Sequence, residues 1–264
     1  LIDEYIWNLR KAQGFQKVEI PHITKKELYI KSGHWDKFKD DLFRITTRED
    51  HEFAMKPMNC PHHTQIYSRH PRSYKELPVR YANTTMVYRD EQSGELQGLS
   101  RVRCITQDDA HIFCRYEHIK EEALKIWDII EAFYKAVGFD DLEVHLSLHD
   151  PNDMDKYLGN EKQWKQAEDL LREAVTARGV EAKEDVGEAA FYGPKLDVQA
   201  KNVNGKEDTL FTAQIDFLLP EKFDPTIFVA AGVGLGSGVS AGASASPVVV
   251  EGALASLESA TAVA

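Results

Sequence analysis

Two arginines flank a loop-like stretch and could bind phosphate. Arg89 follows the run 86–88 and Arg103 precedes 104–105, a pattern typical of two strands joined by a loop. On facing strands, two guanidinium groups could hold a polyphosphate from two sides, because their N–H forks match phosphate oxygens. Arginines in an antiparallel hairpin could equally be ordinary surface charges, so this pair alone establishes no site.

Cys60 and His111 have side chains that can bind metals, but their surroundings fit neither the C-x-x-C nor the H-E-x-x-H pattern. Both could instead be core residues, since free cysteine is among the most buried residue types. Spacing alone therefore leaves a metal site and a packed core as open alternatives.

Hydrophobic periodicity predicts the elements that would position these groups. The expected helices cover residues 2–12, 118–137 and 164–178. The expected strands cover residues 18–20, 42–45, 51–55, 86–89, 100–105, 144–148, 195–198 and 210–217. Strands joined by hairpins, with helices grouped between them, indicate an α+β domain built on an antiparallel sheet flanked by helices.

Composition limits the kinds of partner. With 264 residues, 42% hydrophobic and 28% charged, the chain can form a sizeable core, and one large domain plus an appendage is expected. No apolar run reaches the roughly 18 residues of a membrane helix, so no membrane partner is expected. A formal charge of −11 argues against nucleic-acid binding through bulk electrostatics, because neutralising phosphates requires clustered Lys and Arg. Any RNA contact must be local.

The cysteines indicate the cellular setting. Cys60, Cys104 and Cys114 do not form a disulfide framework, and no signal segment precedes them. A reducing, cytoplasmic location is expected. Leu1 opens directly into a helical pattern, so further sequence upstream is also expected.

The composition changes abruptly after Phe228. Residues 229–264 are almost entirely Ala, Gly, Ser and Val, with Glu251 and Glu258 as their only charges. We therefore divide the chain into a domain at 1–228 and a low-complexity segment at 229–264. That segment is either a disordered linker or an altered final segment of the domain, and the sequence leaves both open.

Several segments resemble one family in order. The stretch 88–115, with its Tyr-Arg-Asp-Glu start and its Gln-Asp-Asp-Ala-His end, resembles motif 2 of class II aminoacyl-tRNA synthetases. Segments 32–35, 56–61 and 189–195 are similar to the threonyl branch, and the first helix with 18–21 looks like motif 1. The resemblance covers roughly residues 1–220 and implies the class II synthetase fold.

The resemblance also implies roles for particular residues. Arg89 matches the arginine on the α-phosphate of ATP, Glu91 the carboxylate that reads the adenine amino group, and Arg103 the arginine on the distal phosphates. Lys195 matches a lysine near the α-phosphate, and His34 a histidine near the tRNA terminal ribose. The residues implied for binding the amino acid or the adenylate are Asp109, which would hold the substrate ammonium group, with Met58, Gln107, Tyr192 and Gln214.

In that family the cysteine and histidine matching Cys60 and His111 bind a zinc ion that accepts the amino group and hydroxyl of threonine. Valine has no hydroxyl and would be rejected, whereas serine would be rejected poorly. The family's third ligand is a histidine after Pro-Val-Val-x, but here residues 247–250 are followed by Glu251. Glu251 is therefore a candidate carboxylate ligand.

Other departures concern adenine and missing domains. Residues 257–259, Leu-Glu-Ser, stand where motif 3 would end, without the arginine that stacks on adenine through a cation–π contact. Ile105 replaces a phenylalanine expected on the other face of adenine. Editing and anticodon-binding domains are expected to be absent from this chain.

The resemblance implies a threonine–tRNA ligase core. It would use ATP and Mg²⁺ to form threonyl-adenylate, select threonine through Zn²⁺, transfer it to threonine tRNA, and form a homodimer through motif 1. Two rivals are a synthetase-like paralogue or truncated core that binds threonine or ATP without charging tRNA, and a non-catalytic interaction module.

Overall fold

The computed structural model describes residues 1–98, 101–139, 141–201, 205, 207–217, 219–223, 227–228 and 248–254. Its helices are α1 (Ile2–Ala12), α2 (Lys26–Ser32), α3 (His34–Lys37), α4 (Cys60–Tyr67), α5 (Ile119–Val137), α6 (Glu161–Arg178) and α7 (Leu219–Phe223). Its strands are β1 (Gln16–Lys17), β2 (Ile23–Lys25), β3 (Arg44–Thr46), β4 (Glu52–Met55), β5 (Arg72–Ser73), β6 (Val79–Tyr88), β7 (Cys104–Cys114), β8 (Glu143–Leu148), β9 (Lys183–Val186), β10 (Lys195–Lys201), β11 (Glu207–Asp216), β12 (Ile227–Phe228) and β13 (Val248–Leu254).

Eight strands form one large sheet that organises the molecule. Their order across the sheet is β1-β6-β7-β13-β11-β10-β8-β9. The six central strands pair antiparallel, whereas the edge pairs β1–β6 and β8–β9 are parallel. A smaller antiparallel sheet has the order β2-β4-β3. The predicted α+β architecture with a largely antiparallel sheet is confirmed.

Helices α5 and α6 pack on the large sheet through amphipathic faces. α5 buries Ile126, Ile130 and Phe133, and α6 buries Trp164 and Leu171, all within one cluster that includes sheet residues. Among the described residues, no helix is both long enough and apolar enough to cross a membrane.

Strand β7 has a different neighbour on each face, because side chains alternate along a strand. Ala110 and Ile112 pack into the α5 and α6 core. Phe113 points to the opposite face and stacks on Tyr67 of α4, with ring centroids 4.1 Å apart. Residues at odd positions of β7 therefore share the face of the sheet that α4 covers, which we call the α4 face.

The helix predictions hold closely. The segments predicted at 118–137 and 164–178 are α5 and α6, and the first helix is α1. α6 begins earlier than predicted because Asn160 caps it: the Asn160 side chain accepts from the Gln163 N–H and the Gln163 side chain accepts from the Asn160 N–H. Periodicity alone carried no signal for this first turn.

Three predicted strands, 18–20 and the hairpin strands 86–89 and 100–105, differ from the structure. The strand predicted at 18–20 is wrong in position, because β1 pairs with β6 through Gln16–Lys17 and ends before it. The arginine hairpin is longer than predicted, but its strands stop at Tyr88 and Cys104. Arg89 and Arg103 thus lie just beyond the strands. They stay opposite each other, because the Arg89 N–H donates to the Arg103 carbonyl oxygen at 3.0 Å.

Part of the predicted low-complexity segment forms a central strand. Residues 248–254 are β13, which pairs with β7 on one side and β11 on the other. Its register sets Glu251 opposite His111 and opposite Gln214. Residues 229–247 and 255–264, including the predicted motif 3 end, lie outside the described residues, and the domain boundary at residue 228 stays a prediction.

A buried ion pair joins α1 to the other face of β7. Arg10 donates from Nε and Nη2 to Asp108 Oδ2 at 3.2 and 2.6 Å, and the two side chains are only 1% and 9% exposed. Thr84 Oγ1 donates to the second carboxylate oxygen at 3.3 Å. Removal of either charge would leave the other buried without its counter-ion, so the pair anchors α1.

Replacing Arg10 with methionine should lower the free energy of unfolding by roughly 3–5 kcal/mol, because Asp108 would remain buried without its cation. Urea unfolding followed by circular dichroism measures this change. The double variant Arg10→Met/Asp108→Leu should recover much of the loss. An unchanged urea midpoint in the single variant would show that α1 is held by other contacts.

Candidate functional site

A cavity of about 220 Å³ opens on the α4 face of the sheet. Its lining residues are Met58, Cys60, Arg89, Gln107, Asp109, Tyr192, Thr209, Phe211, Thr212 and Gln214. Seven of them were singled out from the sequence: Met58, Cys60, Arg89, Gln107, Asp109, Tyr192 and Gln214. Gln107 and Asp109 are both present because they are two residues apart on β7 and so share a face.

Asp109 is held by two buried polar side chains. The Asn59 Nδ2 atom donates to Asp109 Oδ2 at 2.8 Å, and Lys56 Nζ donates to Asn59 Oδ1 at 3.0 Å. Lys56 and Asn59 are fully buried, and Asp109 is 5% exposed. Burial lowers the pKa of Lys56 to about 8, and the nearby Asp109 carboxylate opposes this shift. The cavity thus contains an oriented carboxylate that could bind a cation.

Arg89 supplies the opposite charge. Its side chain lines the cavity, and its buried Nε atom has no hydrogen-bond partner among the described residues. A buried guanidinium N–H without an acceptor is costly, so an anion at this position would stabilise it. The cavity therefore has one wall suited to an anion and another suited to a cation.

Glu91 and Arg103 lie beside this wall but not in the lining. The Glu91 carboxylate is 6% exposed and accepts from Arg101 Nε and Nη2 at 2.9 and 2.6 Å. Arg103 Nε donates to the Glu91 carbonyl oxygen at 2.9 Å. Arg101 is a partner that sequence reasoning did not identify, although it stands in the Ser-Arg-Val-Arg stretch. The ion pair orients Glu91, and the predicted nucleotide roles of Glu91 and Arg103 stay predictions.

Lys195 lies on the neighbouring strand β10, opposite Gln214 of β11. Its Nζ atom is 2.9 Å from Asp197 Oδ2. Asp197 also accepts from Ser147 Oγ at 3.0 Å and from Thr212 Oγ1 at 2.6 Å. Since Thr212 lines the cavity, this network places Lys195 close to the cavity wall while fixing its ammonium group on Asp197. Asp197 carried no recognised sequence signal.

His34 lies in a second, smaller pocket that shares Tyr192 with the main cavity. The Ser32 hydroxyl donates to the Tyr29 carbonyl oxygen at 3.2 Å, so Ser32 Oγ accepts from His34 Nδ1 at 2.8 Å. If the ring is neutral, this contact puts the proton on Nδ1 and the lone pair on Nε2. The His34 side chain is therefore arranged to accept a proton through Nε2.

Cys60 and His111 come from two elements that meet at this face. Cys60 begins α4 and lines the cavity, whereas His111 follows Asp109 on the same face of β7 and is fully buried. His111 Nδ1 lies 2.7 Å from Nδ1 of His63, a residue of α4 that no sequence pattern indicated. Burial lowers the pKa of His63 well below its usual range, so a neutral imidazole orients the His111 ring.

The described residues contain one trio of metal-binding side chains close enough to share an ion, and it lies elsewhere. Glu143, His145 and Glu207 have ligand atoms within 4.8 Å of one another. Glu143 Oε1 is already 2.5 Å from Lys201 Nζ, and His145 Nδ1 is 2.6 Å from Asp185 Oδ2. These contacts explain the grouping as an ion-pair network, and it shares no residue with the cavity.

Comparison with known protein families shows which family the chain belongs to. The model of the tRNA synthetase class II core domain (G, H, P, S and T) matches residues 43–232, which include every residue that lines the cavity. The chain belongs to this family. The predicted class II synthetase fold is thereby confirmed, and it explains why the cavity opens on one face of an antiparallel sheet.

Within the class II core family, the similar curated proteins are threonine–tRNA ligases. The threonine–tRNA ligase of Cytophaga hutchinsonii is 50% identical over 221 residues, covering 82% of this chain and 34% of its own length. That of Azobacteroides pseudotrichonymphae is 49% identical over 225 residues, covering 84% of this chain and 35% of its own length. The chain therefore spans about a third of the curated relatives it matches.

A solved structure of this family agrees in fold. The RNA-binding domain of threonyl-tRNA synthetase from Cryptosporidium parvum superimposes with a TM-score of 0.85 at 34% identity. The alignment covers 98% of this chain and 62% of that one. The predicted resemblance to threonyl-tRNA synthetases is confirmed.

Gly193 lets the class II core bring Tyr192 against β11. A Cβ atom at Gly193 would lie 1.8 Å from the Ile215 carbonyl oxygen, closer than any non-bonded contact allows. The turn is closed by the Gly193 N–H donating to the Ala190 carbonyl oxygen at 3.3 Å. This close approach allows the Tyr192 hydroxyl to donate to Gln214 Oε1 at 3.2 Å.

Substituting Gly193 by alanine should therefore lower the free energy of unfolding by about 3 kcal/mol or more, because the backbone must move to admit a methyl group. The matched control is Gly94→Ala, where an added Cβ meets nothing within 4 Å. Gly94→Ala should change the free energy of unfolding by no more than about 0.5 kcal/mol. Equal effects of the two substitutions in urea unfolding would contradict this account of the turn.

Proposed function

We propose that this chain is the catalytic core of a threonine–tRNA ligase. The supporting observation is that one cavity contains Arg89, with a buried Nε lacking an acceptor among the described residues, and Asp109, an oriented carboxylate. An amino acid carries an ammonium group and a carboxylate that reacts with a phosphate. Asp109 is suited to bind the ammonium group of the amino acid, and Arg89 is suited to bind the phosphate with which the amino acid reacts.

The first step is formation of an acyl-adenylate. An oxygen of the threonine carboxylate attacks the α-phosphorus of ATP, a new P–O bond forms, and the bond to pyrophosphate breaks. Arg89 stabilises the charge on the α-phosphate, with Arg103 on the distal phosphates and Glu91 on the adenine amino group. Such phosphoryl chemistry depends mainly on positioning and on charge stabilisation, and Mg²⁺ would add positive charge at the phosphates.

The second step transfers the acyl group to tRNA. A hydroxyl of the terminal ribose attacks the carbonyl carbon of the adenylate, the C–O bond to AMP breaks, and AMP leaves. His34 is the candidate to accept the hydroxyl proton, because its Nδ1–H is committed to Ser32 and its Nε2 bears the lone pair. Tyr192 lines both pockets and would therefore border the sites of both proposed steps.

A zinc ion fits the donor chemistry of this site. Cys60 and His111 are both buried on the α4 face, and His111 Nδ1 lies against His63, so Nε2 is the nitrogen that we assign to the ion. The register of β13 sets Glu251 opposite His111, which makes a carboxylate the candidate third ligand. When bound, zinc would supply an open coordination position for the amino and hydroxyl groups of threonine.

Homodimer formation and a cytoplasmic location are further parts of this proposal.

Threonine-dependent exchange between pyrophosphate and ATP tests the first step. Arg89→Gln should lower the exchange rate by roughly 10²–10³-fold, because a preorganised charge on the reacting phosphate is lost. The matched control is Arg178→Gln on α6, whose guanidinium pairs with Asp128 and does not line the cavity. The control should keep the parent rate. Threonine binding without exchange in the parent would instead indicate the paralogue that does not charge tRNA.

Elemental analysis tests the metal. We expect about one zinc per chain, lost in Cys60→Ser because a thiolate ligand is replaced by a weak hydroxyl donor. Cys104→Ser is the matched control: Cys104 is an exposed free cysteine outside the cavity lining and should leave the zinc content unchanged. Absence of zinc in the parent, measured with zinc supplied during expression, would refute the metal part of the proposal.

A further inference from the structure

Lys56 is a buried charge that none of the proposed reaction steps uses. It follows β4 and its side chain is fully buried. Its Nζ atom donates to Asn59 Oδ1 at 3.0 Å and to Thr85 Oγ1 at 2.8 Å. An uncompensated buried ammonium is expensive, and burial indeed lowers the pKa of Lys56 to about 8. A buried charge is weak evidence for stability, so a role in the site is the better explanation.

Hydrogen-bond polarity gives Lys56 a definite effect on Asn59. An ammonium group can only donate, and a carboxylate can only accept. Asn59 lies between the two, so its Oδ1 must face Lys56 and its Nδ2 must face Asp109. The observed contacts, 3.0 Å to Oδ1 and 2.8 Å from Nδ2, have this arrangement. Lys56 therefore selects one of the two orientations of the Asn59 amide.

The orientation of Asn59 in turn fixes Asp109. With Oδ2 bonded to Asn59 Nδ2, the carboxylate cannot rotate freely, and its other oxygen, Oδ1, lies 3.9 Å from His111 Nδ1. If the Asn59 amide were reversed, its carbonyl oxygen would face the carboxylate and repel it. Lys56 thus acts on the cavity carboxylate through a neutral side chain rather than by direct contact.

The backbone of Lys56 supports the opposite wall of the cavity. Its carbonyl oxygen accepts from the N–H of Tyr88, the residue before Arg89, at 2.9 Å, and its own N–H donates to the His22 carbonyl oxygen at 2.9 Å. Thr85, the second partner of the ammonium group, pairs with Gln107 on β7. One residue is thus tied to the strand ends that present Arg89 and to the strand that presents Asp109.

We propose that Lys56 and Asn59 are positioning residues that hold the Asp109 carboxylate in the orientation that receives the ammonium group of the amino-acid substrate. This inference rests on the proposed function for the identity of the substrate, but the relay from Lys56 through Asn59 to Asp109 exists without substrate. Loss of the relay weakens threonine binding and leaves ATP binding largely intact.

The kinetic test uses Lys56→Met, which keeps a long unbranched side chain and removes the ammonium donors. In threonine-dependent pyrophosphate exchange, the KM for threonine should rise roughly tenfold to a hundredfold, the range for loss of a charge-assisted hydrogen bond, while the KM for ATP changes less than about threefold. Arg80→Met is the matched control, since Arg80 forms a largely buried ion pair with Glu122 away from the cavity lining. It should lower stability without raising the KM for threonine.

A double-mutant cycle separates a relay from two independent contributions. Asn59→Leu removes the middle of the relay and should raise the KM for threonine as Lys56→Met does. In a relay, the double variant is no worse than the more damaging single variant, whereas independent effects multiply. The proposal would be overturned if the effects of the two substitutions multiply, or if the KM for ATP rises as much as the KM for threonine. Asn59→Leu also provides the comparison with the parent if Lys56→Met does not fold.

A readout without catalysis distinguishes this inference from the proposed function. The two side-chain amide protons of Asn59 are observed by ¹H–¹⁵N NMR in the full chain. One proton should be shifted downfield and protected from exchange by its bond to Asp109, and this should be lost in Lys56→Met and kept in Arg80→Met. An Asn59 amide that is unaffected by Lys56→Met would refute the relay. Absence of exchange activity and of threonine binding in the parent would refute the proposed function, even where the amide responds as expected.

Discussion

Alternation of side chains along β7 is the constraint on which the site depends. Even positions face the helices: Asp108 bonds to Arg10 of α1, and Ile112 packs into the α5 and α6 core. Odd positions lie on the α4 face, so Asp109 and His111 must lie side by side there. A slip of one residue in the pairing of β7 would bury the functional side chains against the helices and expose the apolar ones. Its antiparallel pairing with β6 and β13 fixes the register on both sides.

Polar contacts hold the side chains of the α4 face, and each group in them can act only as a donor or only as an acceptor, except the Asn59 amide, which does both. Lys56 only donates, Asp109 only accepts, and Asn59 connects them in one orientation. Such a network contributes little net stability, because burying its charges costs about as much as the contacts return. It does specify one arrangement, since any other leaves a buried polar group without a partner. Arg89 differs: its buried Nε lacks an acceptor among the described residues, as expected where a ligand supplies the acceptor.

The fold and the site were predictable from sequence to different degrees. The α5 and α6 periodicity predicts both helices because each is long and amphipathic, whereas the first turn of α6 depends on a cap at Asn160 that periodicity does not detect. Seven lining residues were found through the family resemblance, because motif order identifies residues that distant segments bring together.

The missed residues share a physical reason. Asp197, Arg101 and His63 act by holding another side chain, so their importance lies in a partner that is distant in sequence or on another element. A lone Asp, Arg or His in a sequence is consistent with many environments, and only geometry identifies the partner. The same reason explains the error at 18–20, where β1 is set by its pairing with β6 and not by local alternation.

The proposed site separates general from specific recognition along a single strand. A carboxylate at Asp109 can bind the ammonium group of any amino acid, so it contributes to activation without selecting threonine. Selection requires a group that detects the hydroxyl, and in the proposal this is the metal held by Cys60 and His111. His111 is the next residue along the same face of β7, which places the two functions one strand repeat apart. Loss of the metal ligands would then remove the group that detects the hydroxyl, while the fold and the Asp109 carboxylate stay in place, because those depend on Asn59, Lys56 and the strand register.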